Sequence, residues 1–172
     1  GYNTVILALD TATPVGSVAL YADEGQVINR YFNVGLQHSQ RLFVEIEAAL
    51  SVANVGMEAL QAIAVSIGPG SFTGLRVGVT TAKTLAYALG IDVIGVNTLA
   101  VLASQVDHTG AVESVMDAQR NEVFRQRFEV CDGVAVACGD VTIEDDLQWQ
   151  QEIETNVVVT GPVLKKLEPL FT

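Results

Sequence analysis

Two cysteines, two histidines, four prolines and one tryptophan in 172 residues leave little material for several kinds of chemistry. Cys131 and Cys138 are too few for a disulfide-built secreted domain and lack the close pairing of a zinc or redox motif. With Asp132-Gly133 as a hairpin turn, Cys131 lies across from Val134 and Cys138 across from Arg127, so the two thiols are not cross-strand neighbours. A reduced, cytoplasmic protein is the simplest expectation. His38 and His108 stand 70 positions apart, without thiol or carboxylate companions at metal-ligand spacing. A Ser-His-Asp triad would have to borrow one of them, with nothing to bring them together. Basic residues are scarce as well: 9 Lys+Arg oppose 20 Asp+Glu, a net charge of −11. A phosphate backbone is normally met by clustered Lys and Arg, and Lys165-Lys166 is only two charges, so the balance argues against strong direct nucleic-acid binding. No apolar run approaches a membrane span; the stretch at 5–9 is short and has no basic segment before it.

What remains is an apolar chain, 49% hydrophobic, able to bury a core as one or two domains. Its acidity is uneven. Residues 1–106 hold 4 basic and 7 acidic residues, whereas residues 107–172 hold 5 and 13. The polar stretch Asp107-His108-Thr109-Gly110 separates these two parts. In the first, period-two alternation predicts strands over 4–10, 16–22 and 26–34, joined by short turns into an antiparallel meander. The period then becomes helical. Leu42, Ile46, Ala49 and Ala53 recur at spacings of four, three and four after Ser39, a candidate N-cap. A β-branched strand at 62–67, a helix from 72 or 73 to 89 ended by Gly90, a strand at 91–96 and a helix at 98–106 follow. This order predicts an α/β lobe with a mixed sheet and helices on both faces. In the second part, strands are expected at 112–116, 123–130, 134–137 and 157–159. Helices are expected from Thr142 to about 153 and over 163–170.

Two turns carry the candidate chemistry. Asp10-Thr11-Ala12-Thr13-Pro14 joins the first two strands. A carboxylate with hydroxyls behind it fits either a metal-bound phosphate or an ordinary Asp turn. No Lys or Arg lies between Gly1 and Gln26 to neutralise a phosphate. Gly68-Pro69-Gly70-Ser71-Phe72-Thr73-Gly74 sits at a strand-to-helix junction, where backbone N–H groups could hold an anion or the glycines could simply let the helix pack closely. It lacks the Gly-Lys-Ser/Thr ending of a Walker loop. Asp117, Arg120 and Glu122 lie at a strand-strand turn, where a local Asp-Arg pair is as good a reading as binding.

Both long helices carry more apolar surface than one sheet requires. Leu75, Val79, Ala82, Ala86 and Leu89 form one stripe, and Val77, Thr81, Leu85 and Ala88 another; Phe43 and Leu50 lie beyond the Leu42/Ile46/Ala49 stripe. The four-residue spacing of Gly74, Gly78 and Ala82 would admit a neighbouring helix closely. The surplus predicts either a helix-helix interface with another protein or cover from the second lobe.

The motifs LALDTAT (7–13), His38-Ser39, GPGSFTGLRVG (68–78) and DAQRNEV (117–123) together resemble the bacterial TsaB (YeaZ) family, over most of residues 4–170. The resemblance implies an α/β fold with a ribonuclease H-like, actin/Hsp70-type first lobe and a smaller or incomplete second lobe. It implies a noncatalytic subunit that binds and activates a TsaD-like transferase making N6-threonylcarbamoyladenosine at tRNA position 37. A TsaE-like ATPase joins that complex, and the isolated subunit homodimerises through a similar helical surface. Partner-binding residues would be His38, Leu42, Phe43, Ile46, Leu50, Val77, Thr81 and Leu85. The chain would have no cofactor or metal of its own, apart from weak or vestigial nucleotide binding at Asp10, Thr11, Gly68, Gly70 and Ser71, or a nucleotide at the partner interface. Thr98 and Leu102 stand where the TsaD relative carries a His-x3-His metal pair, and neither replaces an imidazole. An ATPase or phosphotransferase of the same superfamily is the alternative. Family members usually continue several dozen residues past the segment matching 157–161 and return toward the first lobe. Without such a segment an apolar face would be left open for self-association.

Overall fold

The computed structural model describes residues 4–23, 25–34 and 38–167. They form β1 (Val5–Asp10), β2 (Val15–Ala22), β3 (Gln26–Asn33), α1 (His38–Ala53), β4 (Ala62–Gly68), α2 (Phe72–Leu89), β5 (Asp92–Asn97) and α3 (Thr98–Ser104). After these come β6 (Gly110–Gln119), β7 (Glu122–Cys131), β8 (Val134–Ala137), β9 (Thr142–Asp145), α4 (Asp146–Glu152), β10 (Val158–Thr160) and α5 (Leu164–Leu167). The chain divides into two compact units, residues 1–96 and 97–172.

The first unit is a five-stranded sheet in the order β3-β2-β1-β4-β5. β1 pairs antiparallel with β2, placing Leu7 across from Leu20, and parallel with β4, placing Leu7 beside Ile63. Alternation sends Val5, Leu7, Leu9, Val18, Leu20, Ile63 and Val65 to one face. α1 and α2 both bury their stripes in that same cluster, with Leu42, Ile46 and Ala49 from one helix and Ala82, Leu85 and Ala86 from the other. Within this unit the helices therefore share one face, where both faces had been expected. The physical reason is that β3-α1-β4 and β4-α2-β5 step across the sheet in the same direction. On the opposite face Val15, Tyr21, Tyr31 and Ile94 are exposed.

The second unit holds the order β10-β6-β7-β8, with β9 also pairing β7. Its β7–β8 hairpin has the expected register, Cys131 opposite Val134, and the Cys138 amide donates to the Arg127 carbonyl at 2.9 Å. One cluster joins Leu99 and Ala103 of α3 to Val112, Met116, Phe128 and Val130. Another joins Trp149 of α4 to Val115, Val123 and Val163. Because α3 packs on β6 and β7, the boundary falls at 96/97, ten residues before the polar stretch at 107–110. Residues 142–145 form β9 on β7, not the opening turn of a helix. Asp145 is the true cap, its Oδ1 accepting from the Leu147 and Gln148 amides, each at 3.1 Å.

Candidate functional site

The two candidate turns meet. Asp10 ends β1, and its Oδ1 accepts from the Ala12 amide at 2.9 Å. The buried Thr11 hydroxyl donates to the Gly74 carbonyl at 2.6 Å, and the Ser71 amide donates to the Ala12 carbonyl at 2.8 Å. Ser71 caps α2, its Oγ accepting from the Gly74 amide at 3.2 Å. A Cβ on Gly70 would stand 2.7 Å from the Ala12 carbonyl oxygen; one on Gly74 would strike the Thr11 carbonyl oxygen, and one on Gly78 the Thr11 hydroxyl. Gly68, at φ +120°, supplies a backbone shape that L side chains rarely adopt. Asp10, Thr11, Gly68, Gly70 and Ser71 are thus gathered in one place, but the Ala12, Ser71 and Gly74 amides are bonded within the protein instead of facing an anion. The small stripe Gly74/Gly78 serves contact with the β1–β2 turn. It is not the seat for a neighbouring helix that its spacing suggested.

The helix surfaces also divide differently from expectation. Leu42 and Ile46 are fully buried, and Leu50, Thr81 and Leu85 are buried as well. They are buried in the lobe's own core, unlike the exposed interface positions that had been expected of them. The cause is that the sheet and the facing helix together absorb a broader arc than a single stripe, as α1 and α2 also touch each other. Val77 is half-buried, Phe43 stays exposed, and the His38 side chain lies outside the described residues. Outward on α1 are Phe43, Val44, Glu47 and Val52; outward on α2 are Phe72, Arg76, Thr80, Lys83, Thr84 and Tyr87. Tyr87 is 92% exposed and Phe72 74% exposed. The Arg76 guanidinium stacks over the Phe72 ring, 5.4 Å from its centroid.

Two buried carboxylates escaped the sequence reading. Glu45, inward on α1, is held by Arg30 at 2.6 Å and Arg41 at 2.7 Å. Its position three residues after Leu42 and four after Arg41 was the available signal. Glu113 on β6 accepts from the Trp149 indole at 2.6 Å, with Arg125 and Arg127 each 3.6 Å away. At the β6–β7 turn Gln119, Arg120 and Asn121 all have positive φ, and Asp117 accepts from the Gln119 amide at 2.8 Å. Thr98 is buried with its hydroxyl unpartnered, and Leu102 packs against the second unit's core. Among the described residues no group of three or more His, Cys, Asp or Glu is placed to hold a metal ion, and no helix is long and apolar enough to cross a membrane.

The match to known proteins decides the family. Residues 33–154 match the family described as TsaD, tRNA N6-adenosine threonylcarbamoyltransferase. The tRNA threonylcarbamoyladenosine biosynthesis protein TsaB of Bacillus subtilis is 31% identical over 160 residues, which is 91% of this chain and 70% of that protein. The chain belongs to the TsaB family. The TsaB protein of Haemophilus influenzae is 36% identical over 170 residues, 96% of this chain and 69% of its own length. Among solved structures, YeaZ from Pseudomonas aeruginosa superimposes with a TM-score of 0.78 at 31% identity, covering 89% of this chain and 70% of that one. This TsaB-family chain thus spans about 70% of the length of these three relatives. Its Gly-Pro-Gly junction is, in this structure, a packing device between α2 and the β1–β2 turn.

Proposed function

We propose that this chain is a noncatalytic subunit that binds and activates a TsaD-like threonylcarbamoyl transferase in forming N6-threonylcarbamoyladenosine at tRNA position 37. A TsaE-like ATPase would complete the assembly, and the same face would serve self-pairing when the transferase is absent. The observation that carries this reading is the outward side of α1 and α2. There Phe43, Val44, Val52, Phe72 and Tyr87 remain exposed on adjoining helices in a TsaB-family chain. Large apolar and aromatic side chains left exposed on neighbouring helices are costly to keep in water and are the usual anchors of protein contacts. The ATPase alternative is less well supported, since the Ala12, Ser71 and Gly74 amides are bonded within the fold and no cation accompanies Asp10 on the turn.

The test is reconstitution. The TsaD-like transferase of the same organism, the TsaE-like ATPase, threonylcarbamoyl-adenylate and an ANN-decoding tRNA are incubated with and without this chain, and modified adenosine is measured. A strong rise in product on adding the chain is expected. Equal product in both arms, with no complex seen by gel filtration, would refute the reading.

A further inference from the structure

We infer that Arg76 and Lys83 make the outward α1/α2 face selective for a partner helix surface bearing carboxylates, and so for the transferase over a second copy of this chain. This rests on the proposal that the transferase docks on that face. Cations are few in a chain with 9 of them against 20 acids. Within residues 1–96 only Arg30, Arg41, Arg76 and Lys83 are basic. Arg30 and Arg41 are both committed to Glu45. Arg76 and Lys83 have no carboxylate partner among the described residues, in spite of the excess of acids. Both are exposed on α2, seven residues apart, which is two turns or about 10 Å along one side of the helix. Phe72 under the Arg76 guanidinium holds one of them in place. The only exposed acid on the two helices is Glu47.

A two-fold pairing of identical copies sets this face against itself, so two unpaired cations per copy meet a surface with one free acid. A partner surface carrying carboxylates opposite Arg76 and Lys83 gains where self-pairing loses, and selectivity is that difference.

Wild-type chain, R76E/K83E, R76Q/K83Q and Y87A are titrated calorimetrically against the TsaD-like transferase at low and high NaCl, with self-association followed by sedimentation equilibrium. The wild type should bind more weakly at high salt. R76E/K83E should lose at least about tenfold in affinity at low salt without a matching loss of self-association, and R76Q/K83Q should flatten the salt dependence. Y87A should weaken binding and leave the salt dependence intact. Circular dichroism checks the fold, and the neutral pair carries the test if the reversed pair misfolds. Wild-type affinity and salt slope retained in both pairs would overturn the selectivity while leaving the docking face standing, as would equal losses in hetero- and self-association. A wild-type chain that binds no transferase would overturn the docking proposal and this inference with it.

Discussion

The two sides of α2 are built to opposite rules. Facing inward are Gly74, Gly78, Ala82 and Ala86, with Thr81 and Leu85 beside them; facing outward are Phe72, Arg76, Lys83 and Tyr87. The inner side uses almost no side chain because backbone must approach backbone, as the hydrogen bond from the Thr11 hydroxyl to the Gly74 carbonyl requires. The outer side carries long and aromatic groups that the described residues leave exposed. Small residues therefore mark the contact that is finished within the fold, and the large ones stand exposed on the side where the proposed partner would dock.

The sharpest way to break this contrast is to put a charge on each side of the neighbouring helix. Leu42→Asp buries a carboxylate in the core shared by α1, α2 and the sheet. The variant should lose more than about 4 kcal/mol and with it cooperative unfolding in urea. Val44→Asp, two residues on and facing water, should unfold like the wild type. Equal stability of the two variants would erase the distinction between inner and outer sides.

Gly74→Ala comes next. The added methyl group meets the Thr11 carbonyl oxygen, which is backbone and cannot turn aside. A loss of about 3 kcal/mol is expected, measured by chemical denaturation. Thr11→Val keeps the shape but removes the donor to Gly74, leaving a buried carbonyl short of a partner, at a cost of about 1–2 kcal/mol.

The meander, both long helices and the Gly90 stop were legible in the sequence because each rests on local pattern: alternation, a 3.6-residue period, a residue that tolerates αL. The cysteine register was legible because Asp132-Gly133 dictates its own turn. Which stripe of α2 faces the core was not. Gly74 answers to Thr11, 63 positions earlier, and Thr81 and Leu85 answer to the breadth of the combined core. The segment Thr142–Asp145 looked like a helix start because Thr142 and Asp145 have capping-box spacing, yet pairing with β7 claims those residues first. Glu113 and Trp149 are 36 positions apart on different elements, so only the fold joins them. For the candidate site, local sequence located the two turns and the two helices. It could not say that the turns would satisfy each other's polar groups, since that depends on how closely α2 approaches β1.

Tyr87→Ala is the gentlest change and the most discriminating. The side chain is almost fully in water, so its loss should shift unfolding free energy by no more than about 0.5 kcal/mol. If the outer side of α2 is a docking surface, affinity for the transferase should nevertheless fall by about tenfold or more, because an aromatic group that rests in solvent alone becomes an anchor once covered. Stability and affinity are then read on one variant, by urea denaturation and by calorimetry. A binding loss at unchanged stability locates the effect at the surface. Unchanged binding would remove Tyr87 from the interface and shift the contact toward Phe43, Val44 and Val52 on α1.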